Sequence, residues 1–354
     1  MKFTLPLFAG LLLANQAIAN SESTDSARLI ESIESAKPIK RAHPEYPRSE
    51  AQKGREGWTQ LSFVIGTEGK PYDIEVINSS GNNKIDKAAR LAVKKWRYSP
   101  ATADGEAIEQ CQTQVQMDFR IGNTKGVSQR FYRRLKVALK HLRTEDVEQI
   151  KKSIDELDDI AKQRLEDFAW LSYIKANYYR LTGESDKELY HLSRTIPYAH
   201  KNSKESILPE ETVLYSLQQL FILQAQKSLY QDAMQTFRKI QQFDSDQATK
   251  TAHSLAPYNE RIEKAIHGDK MISVAANISS NESWNHNLAR NKFSITNIQG
   301  DLHKLDVRCD NKRHIYTVND ATEWTIPPSW GHCQVLVEGD KGSKFTLVEL
   351  PQKS

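Results

Sequence analysis

Residues 57–101 read GWTQLSFVIGTEGKPYDIEVINSSGNNKIDKAARLAVKKWRYSPA. Leu61, Phe63 and Ile65 alternate with Gln60, Ser62 and Val64, the period-two pattern of a half-buried strand. Gly66 to Gly69 supplies a turn, and Tyr72 to Ile77 reads as a second strand. Asn82 and Asn83 are candidate N-caps for a helix reaching about Trp96. Within it Ile85, Ala89, Ala92, Val93 and Trp96 fall on one apolar stripe. Tyr98-Ser99-Pro100 ends the helix, because a residue before proline is pushed out of the helical region. A third strand follows, with Cys111, Thr113, Val115, Met117 and Phe119 on one face and Gln112, Gln114, Gln116, Asp118 and Arg120 on the other. Strand, strand, helix, strand predicts one helix laid across a small antiparallel sheet.

The same region carries Pro44-x-Tyr46-Pro47, Gly57, Leu61-x-Phe63-Val64-Ile65, Gly69, Val76 and Ser79-Ser80-Gly81. Asp86, Trp96-Arg97-Tyr98-x-Pro100-Ala101 and Gly105 follow in order. This set resembles the C-terminal domain of the TonB family, the periplasmic module that pairs with the TonB-box peptide of outer-membrane receptors. The resemblance spans about eighty residues. It implies that an extended receptor peptide adds to the edge of the third strand, along Gln112, Thr113, Gln114, Val115, Gln116, Met117, Asp118, Phe119 and Arg120. It also implies that Tyr46, Pro47 and Arg48 lie near the receptor plug. The plain alternative is that Val115 and Phe119 are core residues and that Tyr46-Pro47 anchors the chain's entry to the sheet.

Outward from this domain, the N-terminus has the layout of a secretory signal peptide. Met1-Lys2 precedes an apolar run from Phe3 to Leu13, and Ala17-Ile18-Ala19 precedes polar Asn20. Cleavage between Ala19 and Asn20 is expected, giving domains at 1–19, 37–122, 127–268 and 271–354. An uncleaved anchor fits less well, because Pro6, Gly10 and Asn15 interrupt a run shorter than the roughly twenty residues of a span. The net charge of +4 falls to +3 without Lys2, too balanced to argue for a nucleic-acid partner. A TonB proper has an anchor and a long proline-rich spacer. Here about two dozen residues separate the cleavage point from the domain, so the expectation is a periplasmic adaptor and not an autonomous energy transducer.

Ile121 to Gly126 is a linker by composition. Helices are then expected at about 127–142, 144–161, 165–182, 185–196, 209–227, 230–243 and 246–266, broken at Thr144, Gly183, Pro197 and Pro209. Paired helices of this length suggest a tetratricopeptide-type solenoid, and Tyr230-x-x-Ala233-x-x-x-Phe237 resembles the second helix of such a repeat. A generic helical bundle is the alternative. The first helix is basic (Arg130, Arg133, Arg134, Lys136, Lys140, Arg143) and the second acidic (Glu145, Asp146, Asp155, Glu156), which suits complementary neighbouring faces.

Short β-rich runs at 293–298, 304–308, 314–318, 333–337 and 345–350 predict a compact all-β domain. Of three cysteines, Cys309 and Cys333 form the natural disulfide in an oxidising compartment, while Cys111 reads as a buried thiol. A zinc site of Cys309, Cys333, His314 and His332 is disfavoured, because His332 and Cys333 are adjacent and the spacing fits no standard pattern. Trp324 and Trp330, flanking Pro327-Pro328, suit either core packing or a carbohydrate or peptide platform. The chain has no G-x-S-x-G elbow, phosphate-binding glycine loop, H-E-x-x-H or Rossmann fingerprint. The expected fold is multidomain α+β, and the expected function is non-enzymatic, without metal or cofactor. Either it engages TonB-dependent receptors or TonB-system components, or it serves as a periplasmic scaffold or envelope-assembly protein.

Overall fold

The computed structural model describes residues 33–122, 126–161, 164–195, 207–278, 282–310, 312–318 and 323–351. The expected signal segment, its cleavage point at Ala19 and Asn20, and the break at Pro197 lie outside the described residues.

The first part comprises β1 (Ile33–Glu34), β2 (Lys37–Lys40), α1 (Arg48–Gln52), β3 (Gly57–Ile65) and β4 (Pro71–Ser79). It continues with α2 (Asn83–Lys94), β5 (Arg97–Ser99), β6 (Ala101–Ala103), β7 (Glu106–Ile108) and β8 (Gln110–Phe119). β3 is the centre of a three-stranded antiparallel sheet ordered β4-β3-β8. The side chain of Asn82 caps α2, accepting from the backbone N–H groups of Lys84 and Ile85 at 3.1 and 3.5 Å. The stripe predicted for this helix is buried against Leu61, Phe63 and Ile65. Two glycines permit the tight packing. A Cβ on Gly57 would stand 2.6 Å from Ile85 Cδ1, and one on Gly69, at φ +71°, would stand 1.8 Å from the Tyr98 carbonyl oxygen.

β3 departs from the half-buried expectation. Ser62 and Val64, on the face away from α2, are buried as completely as Leu61 and Phe63. The alternation holds, but a later part of the chain packs on the second face, where Arg308 meets Glu75 and Gln112. β8 departs too: between Phe63 and Ile65 its register shifts, so that Phe63 pairs with Thr113 and Ile65 with Gln110. This bulge breaks the strict alternation. Cys111 is fully buried yet lies outside the core of Leu61, Phe63 and Ile65. Its electrostatic neighbours include Arg313 and Arg308, and burial pushes its thiol up to about 12.

Among the described residues seven helices follow: α3 (Gln129–Arg143), α4 (Val147–Asp158), α5 (Leu165–Thr182), α6 (Ser185–Thr195), α7 (Glu210–Gln226), α8 (Tyr230–Gln241) and α9 (Asp246–His267). Each packs on its successor. Ser128, Asp146 and Ser245 cap α3, α4 and α9, and Gly183 ends α5 at φ +76°. Arg134 of basic α3 pairs with Glu156 of acidic α4 at 2.7 Å. The sheet and helices share structure. Trp58 of β3 inserts into the helical core beside Leu165, Ala169 and Leu214. Arg164 gives α5 no side-chain cap; instead Glu56 accepts from the Leu165 N–H at 3.1 Å and from the Ile121 N–H at 2.8 Å.

The last part is a sandwich of two antiparallel sheets. β10 (Ser283–Asn287), β15 (Cys333–Gly339), β12 (Leu302–Cys309) and β13 (Arg313–Tyr316) form one. β14 (Glu323–Thr325), β11 (Lys292–Gln299), β16 (Lys344–Glu349) and β9 (Ile272–Asn277) form the other. Cys309 and Cys333 pair across β12 and β15 and are joined by a disulfide, so their sulfurs are engaged with each other. Trp324 stacks on Phe293 inside the core, which places it in packing and not on a surface platform. Arg290 fixes the sandwich to α9 by donating to the carbonyls of Ala265, Ile266, Gly268 and Lys270 at 2.7–2.8 Å. Among the described residues no helix is long and apolar enough to cross a membrane.

Candidate functional site

β8 is the outer strand of its sheet and has β3 on one side only. An outer strand presents unpaired backbone groups along its free edge, ready for another extended segment. Gln114 and Asp118 are exposed, while Met117 and Phe119 are buried against α2's core. Gln112, Thr113, Val115 and Gln116 are half-buried. Arg120 lies beyond the strand and pairs with Glu166 of α5 at 3.1 Å. The chain turns there because Glu56 holds the Ile121 N–H.

Tyr46 meets the far end of this strand. Its ring packs edge-on against Phe119 at 5.6 Å, and its hydroxyl donates to the Arg55 carbonyl at 2.7 Å. Burial, together with Glu56 and Glu50, pushes the phenol up to about 12. Tyr46 thus ties the chain entering the sheet to the end of β8. Pro47 precedes α1 with φ −62°, and Arg48 opens that helix. All three line a groove of about 410 Å³ against Lys84, Leu91 and Lys95 of and beyond α2. The structure thus brings Tyr46 to the strand's end and sets Arg48 in the neighbouring groove.

Sequence reasoning missed what covers the other face of the sheet. Asp306 of β12 is fully buried between two guanidinium groups. Arg308 donates to it at 2.8 and 2.9 Å, and Arg313 at 2.7 and 2.8 Å. Both arginines reach across to β4, Arg308 to Glu75 at 2.7 Å and Arg313 to Asp73. Burial alone would raise the Asp306 carboxyl, but the hydrogen bonds from Arg313 and Arg308 outweigh it and hold it below its ordinary value. Burial raises Glu75 at the rim. Gln112 completes the contact from β8, its amide donating to the Arg308 and His332 carbonyls at 2.7 and 2.8 Å. The available signal was Asp306-x-Arg308, two charges on one face of a strand whose alternate residues, Leu305, Val307 and Cys309, are core.

With this geometry established, comparison identifies the first unit. Residues 42–121 match the family described as Gram-negative bacterial TonB protein C-terminal. Protein TonB of Pseudomonas aeruginosa is 32% identical over 79 residues, 22% of this chain and 23% of that protein. Protein tonB2 of the same organism is 37% identical over 78 residues, 22% of this chain and 28% of that protein. The chain thus spans about a quarter of the length of these curated relatives. The solution structure of the Pseudomonas aeruginosa TonB C-terminal domain is 30% identical, covering 25% of this chain and 90% of that one, with a TM-score of 0.23.

Proposed function

We propose that this protein is a non-enzymatic periplasmic component of TonB-linked transport. It engages TonB-dependent outer-membrane receptors, or other TonB-system components, by strand addition at the free edge of β8. The observation that carries this reading is the position of β8 as the outer strand of a TonB C-terminal domain. Backbone groups along the edge supply affinity that depends little on sequence, and alternate side chains fix the register. With Gln112 engaged by the sandwich and Arg120 by Glu166, the usable stretch runs over residues 113–119. Tyr46-Pro47-Arg48 stands beside its far end as the second receptor-facing element.

A second role, as a scaffold for envelope assembly, is favoured by the helices. α3 to α9 pack in sequence order, each on the next, as tetratricopeptide-type units do, and such arrays present a concave surface to peptides. In this reading residues 127–268 recruit a further periplasmic protein.

Gln114→Pro in the full chain tests the edge. It removes one backbone N–H while sparing the core-facing side chains. Binding of a TonB-box peptide should fall at least about tenfold, with an unchanged circular dichroism spectrum. Unchanged affinity would remove β8 as the docking edge. Recovery of envelope-assembly machinery and no receptor, in a pull-down with the unmodified chain, would favour the scaffold.

A further inference from the structure

The sheet has a second free edge. β4 is its other outer strand, and Glu75–Ser79 form one side of a cleft of about 1230 Å³. That exceeds the roughly 300–1,000 Å³ of small-molecule sites and suits a segment of a polymer. β10 and the β15 residues Leu336 and Glu338 face β4 across it. One wall is α2, which presents Lys87, Arg90, Leu91 and Lys94. Lys87, Arg90 and Lys94 repeat every three to four residues and so form a single row, with Leu91 beside it.

Charge compensation differs between the walls. On the sandwich side, Glu338 pairs with Lys304 at 2.7 Å, and Asp340 is hydrogen-bonded to the His303 ring at 2.9 Å. Glu75 on β4 pairs with Arg308. Asp86 accepts from the Thr59 and Ser79 hydroxyls, and Glu282 stands on the opposite lip. Lys87, Arg90 and Lys94 are exposed and have no ion pair among the described residues. The α2 wall is therefore a row of three exposed cations beside an open strand edge, with Arg90 also in the field of Asp86, and with Lys87 and Lys94 outside any ion pair among the described residues.

We propose that this cleft binds an extended acidic peptide as a fourth strand on β4, with carboxylates at alternate positions facing α2. A strand added to β4 lies about 4.8 Å from it, and its side chains alternate between the α2 wall and the sandwich wall. From Lys87 to Lys94 the helix rises about 10 Å. Alternate positions of a strand are about 7 Å apart, so two or three carboxylates meet the row. The opposite set of side chains, facing Ser283, Leu336 and Gly339, is expected to be small and uncharged. This site lies on the edge away from β8 and is independent of receptor engagement there.

The test uses the full chain and fluorescence anisotropy with a labelled octapeptide alternating glutamate and threonine. It should bind saturably. A peptide of the same composition with its glutamates in one block should bind at least about fivefold more weakly, because alternation matches the strand period. Arg90→Glu with Lys94→Glu should weaken the alternating peptide at least about tenfold. N-methylation of one alternate set of its amides should abolish binding, and methylation of the other set should not. Gln114→Pro should leave this affinity unchanged. Equal binding of the two peptides, indifference to the charge reversal, or loss on Gln114→Pro would each overturn the proposal.

Discussion

Substituting Asn for Asp306 would test whether the β-sandwich is fastened to the TonB-type sheet by charge. Asp306 accepts four hydrogen bonds from Arg308 and Arg313, and these arginines are 2% and 8% exposed. Removing one partner of a buried ion pair costs about 3–5 kcal/mol, because the other charge stays desolvated and unmatched. Asp73 and Glu75 at the rim still balance part of the charge, so the lower figure applies: about 3 kcal/mol. If this loss falls on the contact itself, the sandwich opens from the sheet about 100-fold more often. Hydrogen exchange reads this directly as faster exchange of the amides at 60–64 and 111–113. An acceleration below about tenfold would refute the assignment of the cluster as the fastener. Asp306→Leu with Arg308→Met and Arg313→Met, which removes the buried charges together, should retain more of the contact than Asp306→Asn alone. The pH dependence has a definite sign. A carboxyl held below its unfolded value contributes stability above about pH 4, and loses it as pH falls through the lower folded value.

Three other outcomes are expected. Gly69→Ala should lower stability by at least about 2 kcal/mol in chemical denaturation, since the new Cβ meets the Tyr98 carbonyl and φ is positive. Cys309→Ser with Cys333→Ser opens a loop with a sequence separation of 24 and should cost the sandwich about 3 kcal/mol, measured by calorimetry against the intact protein. His191 is held neutral by burial and by Lys175, its value lowered from 6.5 to about 4. Its depressed value means stability present above about pH 6.5 is lost as pH falls toward about 4, and NMR titration of the imidazole should show that low midpoint.

The local structure was legible because it depends on neighbours in sequence. The α2 stripe, the Asn82 cap, the alternation of β3 and the turn at Gly69 all follow from spacings of two to four residues. Helix limits in 127–268 came within a few residues of those observed for the same reason. Strands β9, β10 and β14 escaped notice. Ser283–Asn287 is polar apart from Trp284 and so shows no apolar alternation, and Glu323–Thr325 is too short to show a period. At the candidate edge, the bulge at Cys111 was illegible because a strict alternation looks the same with or without a register shift. The cap that Glu56 gives α5 and the grip of Arg308 on Glu75 join residues 109 and 233 positions apart. No periodicity reports such partners.

The cover over the sheet's outer face also orders events in the life of the chain. Ser62 and Val64 are made before Asp306, Arg308 and Arg313, which follow them in the chain by about 240 residues. Until the sandwich arrives, an apolar face and a row of polar strand groups stand open to chaperones and proteases. A product cut short after α9 keeps that face bare, whereas a finished chain hides it. Limited proteolysis should therefore cut residues 57–65 faster in a chain truncated after α9 than in one that carries the sandwich.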